Sequence, residues 1–206
     1  PYEYMKLRLL NGSHSALAYL GSLAGYETIS RCMEDPAYVT FMRKLMDEDV
    51  TPTLQMPEGV DVGAYKDSLV ERFINPAIKH LTRQIAMDGS QKLPNRTLGP
   101  VRERLAAGGS VDHLALVVAA WMRYATGVDE QGIPFEVNDP LAADLRRVGE
   151  TAGHDAEKVA RGYLAMPEIF GDDLAGAEPF TEKVIYWLKS LYAKGAAATV
   201  KEAYGA

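Results

Sequence analysis

Punctuation constrains this chain more than any other feature of it. Segment after segment opens on a residue that caps helices and closes at Gly or Pro, and no stretch carries convincing period-two alternation. Thr28, Asp35-Pro36, Asp61, Ser110, Asp139-Pro140, Asp155 and Pro179 or Thr181 read as starts, while Gly25, Asp88-Gly89, Gly108-Gly109 and Gly127 read as stops. The expectation is an all-α fold of about nine or ten helices, built as one domain over residues 1–206. The first helix covers 4–24, an amphipathic one covers 37–49, and one through Tyr65, Leu69 and Phe73 ends at Ile74-Asn75-Pro76. A further helix is expected over 77–87, then a polar loop from Ser90 to Arg96, then helix again from Pro94 to Ala107. The segment holding Leu114, Val117, Val118 and Trp121 is apolar nearly all round and should be central to the core. The Ala-rich tail from Gly195 reads as a weak helix that frays.

Composition narrows the function classes. With 206 residues and 47% apolar content the chain can bury a real core, and its net charge of -6 argues against a nucleic-acid binder. No run reaches membrane-span length, no secretory leader opens the chain, and the single Cys32 cannot form an internal disulfide, so a cytoplasmic setting is the default.

Chemistry concentrates in the first helix. At about 100° per residue, with Lys6 at zero, Asn11 falls at roughly 140° and His14 at roughly 80°. The three polar groups therefore share one half of the helix with Leu7, Leu10 and Leu17, where a buried polar group must be paired or functional. Residue types alone leave the matter open: a solvated Lys and satisfied core Asn and His are the bland alternatives. The spacing Lys6-x4-Asn11-x2-His14, followed by Ser-Ala-Leu-Ala-Tyr-Leu-Gly, resembles the C-terminal, substrate-binding domain of the mannitol dehydrogenase family of zinc-independent polyol and hexuronate oxidoreductases. Ala24-Gly25-Tyr26-Glu27-Thr28, Glu71-Arg72-Phe73-Ile74-Asn75-Pro76 and Asp88-Gly89-Ser90-Gln91-Lys92-Leu93-Pro94 look like further landmarks of that family in the same order, so the likeness covers most of the chain.

The resemblance implies that Lys6 is the general base, that Asn11 and His14 hold the reacting oxygen, and that Lys92 contacts the substrate. A lysine can serve as a base near neutral pH only if its ordinary value of about 10.4 is depressed, and burial among the leucines of its helix is the expected cause. Gln84 and Met87 stand where mannitol dehydrogenases have Arg and His, and the sequences around Lys6 and Lys92 look more like the fructuronate reductase branch, which reduces fructuronate to mannonate. Its substrate carries a carboxylate, for which Arg96 and Arg72 are candidates, although a solvent-exposed loop Arg96 and a structural Arg72 are the simpler readings. No metal-ligand set is visible, since His14, His80, His113 and His154 are scattered. Cys32, Trp121 and Trp187 read as core residues.

The chain begins at Pro1 and contains no Gly-x-Gly-x-x-Gly after a strand-like run. The resemblance implies an NAD cofactor bound mainly by an N-terminal Rossmann domain outside these residues, with a sugar acid or polyol as substrate and no activity from this portion alone. A mannitol or polyol 2-dehydrogenase is the nearest alternative. A non-catalytic helical interaction module is the alternative from another class.

Overall fold

The computed structural model describes residues 1–205 and is all-α, with eleven helical runs and no strand among them. Helix α1 (2–24) runs without a break through Tyr2–Met5, the π-helical segment Lys6–Asn11 and Gly12–Ala24. There follow α2 (Ile29–Cys32), α3 (Pro36–Lys44, continued by a π segment Leu45–Val50), α4 (Val62–Ile74) and the single turn α5 (Thr82–Ile85). Helix α6 (89–106) joins Gly89–Leu93, a π segment Pro94–Leu98 and Gly99–Ala106. The remainder is α7 (Asp112–Ala125), α8 (Ala142–Ala152), α9 (Ala156–Leu164), α10 (Pro167–Phe170) and α11 (Glu178–Tyr204). The single-turn helices α2, α5 and α10 take the count past the nine or ten expected. None of the helices is long and apolar enough to cross a membrane.

The capping residues act as their chemistry requires. Thr28, Asp35, Asp61 and Asp155 each accept a backbone N–H in the first turn they open, a contact worth about 1 kcal/mol apiece. Helix α7 is buried continuously from Leu114 to Ala125 and lies between α11 and α1, which is buried from Ser15 to Gly21. Trp121 is fully enclosed, tilted against Tyr163 and Phe170, while Trp187 donates its indole N–H to the Asp112 carbonyl at 2.8 Å. Both tryptophans are core residues, as is the buried Cys32, whose thiol burial pushes up to about 12.

Three expectations are corrected. Residues 77–81 are not helical. Ile29 donates to the His80 carbonyl at 3.0 Å, Thr82 donates to the Glu27 carbonyl at 2.9 Å, and Thr28 and Leu81 form an antiparallel bridge, so backbone groups that a helix would use internally are spent on the α1–α2 turn. The Ser90–Arg96 stretch is helix instead of loop: Pro94, with no N–H to donate, begins a π segment that the helix passes through without ending. The tail does not fray. Gly195 turns the chain at φ +84°, the Glu130 carboxylate accepts the Ala196 N–H at 2.7 Å, and the last piece folds back until Tyr204 stacks on Trp187 and meets His113 Nδ1 at 2.7 Å.

Candidate active site

Lys6 and Asn11 bound the π segment of α1, and that changes their relation. In an α-helix residues four apart share a face because i→i+4 bonding stacks them; i→i+5 bonding, as in the Gly12 N–H to Leu7 carbonyl contact, stacks residues five apart instead. Lys6 and Asn11 thus come closer to one line along the helix than the 140° of a regular α-helix. Arg8, buried on the same turn, fixes the segment by forking onto the Glu103 carboxylate, with Nη1 also 3.4 Å from the Thr53 carbonyl.

The π segment of α6 packs against this one. A Cβ on Gly12 would stand 3.0 Å from the Arg96 carbonyl, so the two backbones meet where α1 has no side chain. Arg96 is half-buried on α6; its Nη1 donates to Ser15 Oγ at 3.0 Å and lies 3.4 Å from the Asn11 carbonyl. Lys92, one turn earlier, donates Nζ to the Ile85 carbonyl at 3.0 Å, and burial and then the Arg96 charge push its ammonium below the usual lysine range. The turn carrying Lys92 is clamped by Asp139, which accepts the Ser90 amide at 2.8 Å and the Ser90 hydroxyl at 2.5 Å.

His14 is the centre of the cluster. Its ring stacks on Phe73 of α4 at 5.3 Å, and its Nε2 lies 3.1 Å from His80 Nδ1. Burial first, then the charges of His80, Arg72, Arg96 and Lys92, push its pKa from the ordinary 6.5 down to about 4. His14 is therefore neutral at physiological pH and can act as a hydrogen-bond donor to an oxygen without carrying charge. The unfolded chain takes up this proton near pH 6.5 and the folded chain only near 4. Stability is thus expected to fall as pH drops through that window, by on the order of 2 kcal/mol. Urea unfolding of the chain and of His14→Asn at pH 7 and pH 4.5 checks this: the gap between the two proteins should narrow or reverse in acid, and an unchanged gap would refute it.

The structure gathers His14, Lys92 and Arg96, sets the charge of Arg72 beside His14, and brings Asn11 into contact with Arg96 through its backbone. Lys6 differs from expectation. Its side chain is exposed and makes no hydrogen bond or ion pair with the described residues, because the buried face of the π segment is the one carrying Arg8 and Leu9, with Leu7 and Leu10 only half-buried and Lys6 on the outer side. Arg96 is not the solvent-exposed loop residue of the simpler reading, whereas Arg72 is exposed in the last turn of α4. His80 and Phe73 were missed as site residues. The place of His80 depends on the non-helical 77–81 segment, for which the sequence has no local signal, whereas Phe73 lies in α4 where a helix is expected and only its packing on His14 is unforeseen. A groove of about 600 Å³ between α8 and α9, lined by Val148, Ala152, Gly162 and neighbouring charged residues, holds none of these groups.

Residues 1–192 match the family described as mannitol dehydrogenase C-terminal domain. D-mannonate oxidoreductase of Escherichia coli is 50% identical over 196 residues, which are 95% of this chain and 40% of that protein. Mannitol dehydrogenase 2 of Saccharomyces cerevisiae is 41% identical over 202 residues, 98% of this chain and 39% of that protein. The structure of Pseudomonas fluorescens mannitol 2-dehydrogenase in ternary complex with NAD and D-mannitol superposes with a TM-score of 0.91 at 39% identity, covering 98% of this chain and 40% of that one. The chain thus spans about 40% of the length of these relatives. It belongs to the mannitol dehydrogenase family and corresponds to the C-terminal domain of its members.

Proposed function

We propose that residues 1–206 form one domain, the catalytic and substrate-binding part of an NAD-dependent oxidoreductase that interconverts a keto-hexuronate and a hexonate, in the manner of a fructuronate reductase. The observation that carries this reading is the packing of α6 on α1, where Arg96 reaches the Asn11 carbonyl and Ser15 Oγ beside His14 with Lys92 one turn away, while the charge of Arg72 also acts on His14. Such a field suits a substrate that brings its own negative charge, and 50% identity to D-mannonate oxidoreductase supports the same choice.

In this scheme Lys6 takes the hydroxyl proton as the alcohol is oxidised and returns it to the carbonyl oxygen on reduction. Asn11 and His14 donate hydrogen bonds to the oxygen as it gains negative charge, which stabilises that charge where it develops. Lys92 holds a substrate oxygen, and Arg96 and Arg72 face the carboxylate. NAD, when bound, accepts or supplies the hydride at the carbinol carbon. The described residues hold no strand–turn–helix cradle for a dinucleotide, so the cofactor is presented to this surface from the remainder of the protein. Closure by that remainder also supplies the burial that Lys6 lacks here.

The test is NADH oxidation by the full-length protein with fructuronate, tagaturonate and fructose compared. The expected order is fructuronate first, by at least about tenfold in kcat/KM over fructose, since loss of a charge-assisted contact costs about 1.5–3 kcal/mol. Preference for fructose would make the enzyme a polyol 2-dehydrogenase instead, the reading favoured by the likeness to the mannitol-bound structure.

A further inference from the structure

His14 can serve the reaction only from a nitrogen that bears a proton and faces the substrate. Three contacts restrict which nitrogen that is. One face of the ring lies on Phe73, at 26° between planes. Its Nε2 is engaged by His80 Nδ1 at 3.1 Å, with the two rings edge to face at 71°. Nδ1 is left as the nitrogen available to a ligand. For Nδ1 to donate, a neutral imidazole must keep Nε2 bare, and a bare Nε2 needs a donor opposite it.

We propose that His80 is a positioning residue: its Nδ1–H donates to His14 Nε2, fixing His14 in the tautomer that carries its proton on Nδ1 and aiming that proton at the substrate oxygen. This rests on the role given to His14 above. The backbone is built to hold His80 in place. Its carbonyl accepts the Ile29 N–H at 3.0 Å, its neighbour Leu81 bridges to Thr28, and Thr82 bonds back to the Glu27 carbonyl through its amide at 2.9 Å and to the Tyr26 carbonyl through its hydroxyl at 2.7 Å. A residue serving only to fill space beside His14 would not require a nitrogen at this point. The arrangement has the logic of an imidazole whose far nitrogen is set by a second group so that its near nitrogen is in the working state.

The groups facing His14 from the elements packed on it are Arg72 of α4, His80 of the segment before α5, and Lys92 and Arg96 of α6. None but His80 touches its Nε2. The experiment uses the full-length enzyme and compares His80→Leu, which removes the donor, with His80→Asn, whose side-chain amide can place an N–H where Nδ1 stands. The expected result is a fall in kcat of at least about tenfold for His80→Leu with KM changed by less than about twofold, and recovery of most of that loss in His80→Asn. Nitrogen-15 shifts of the His14 ring should report a proton on Nδ1 in the parent protein and a mixture of tautomers in His80→Leu. A parent proton on Nε2, an unchanged tautomer in His80→Leu, or a kcat within about twofold of the parent would each overturn the proposal. His14→Leu, measured alongside, separates the two ideas. Full activity in that variant would sink the catalytic reading itself, whereas its loss together with indifference to His80 would sink only this inference.

Discussion

Replacing Lys6 with alanine in the full-length enzyme is expected to lower kcat by about 10²–10⁴-fold, the usual contribution of a positioned proton-transfer group. The same substitution should leave stability within about 0.5 kcal/mol, because Lys6 is exposed and makes no hydrogen bond or ion pair with the described residues. Few residues allow so wide a separation between the two readouts. A lysine kept for structural reasons would lose stability along with activity, and a lysine merely solvated would lose neither. The pH profile adds a second check: the limb for alcohol oxidation that reports the base should vanish in Lys6→Ala, and small primary amines added to the assay should restore part of the rate. Full activity in Lys6→Ala, measured with its unfolding midpoint unchanged, would remove the general base from the scheme and leave Asn11 and His14 without a partner for the proton.

What could be read from the residues alone follows a physical division. Helix starts were legible where a side chain and the amide it accepts lie within three residues, as at Thr28, Asp35, Asp61 and Asp155. Errors fall where the partner is remote. Residues 77–81 carry a helical pattern, yet their backbone pairs with Glu27–Ile29 some fifty residues away. The tail after Gly195 is rich in the helix former Ala but too short to hold a helix by itself, and Glu130 fixes its first turn at Ala196, 66 residues away. Ser90 to Arg96 reads as a loop because Ser, Pro and Asn punctuate loops, but here Pro94 marks a widened turn inside a helix. The same limit applies to the site. Lys6, Asn11 and His14 could be placed on one helix by spacing, since they are close in sequence. Their true angular relation depends on a π segment with no local signature, and the contact of His14 with His80 depends on the non-helical 77–81 stretch. The expectation that Lys6 is buried failed for a related reason: helical phase gives the face, while burial is decided by what packs on that face.

The second large effect belongs to Gly89, the residue that joins the core to Lys92. A Cβ built there would lie 2.4 Å from Trp121 Nε1, 2.8 Å from its Cδ1 and 3.2 Å from the Tyr19 hydroxyl. The indole has no room to yield, for Trp121 is fully buried and tilted against Tyr163 and Phe170, and Tyr19 is enclosed as well. Gly89→Ala should therefore cost about 3 kcal/mol, toward the upper end for an overpacked core, and lower the thermal midpoint by roughly 6–12 °C for a chain of this size. Relief can come only by moving the start of α6 outward. That movement strains Asp88, already at φ +58°, and stretches the paired bonds from Ser90 to Asp139 that seat the turn. Lys92 lies one turn along and must shift with it, so in the full-length enzyme KM for the sugar substrate should rise more than kcat falls. Calorimetry of Gly89→Ala and steady-state kinetics below its melting point check both parts. An unchanged midpoint would show that Trp121 can repack, and an unchanged KM beside a lowered midpoint would detach Lys92 from the substrate while leaving the packing argument intact.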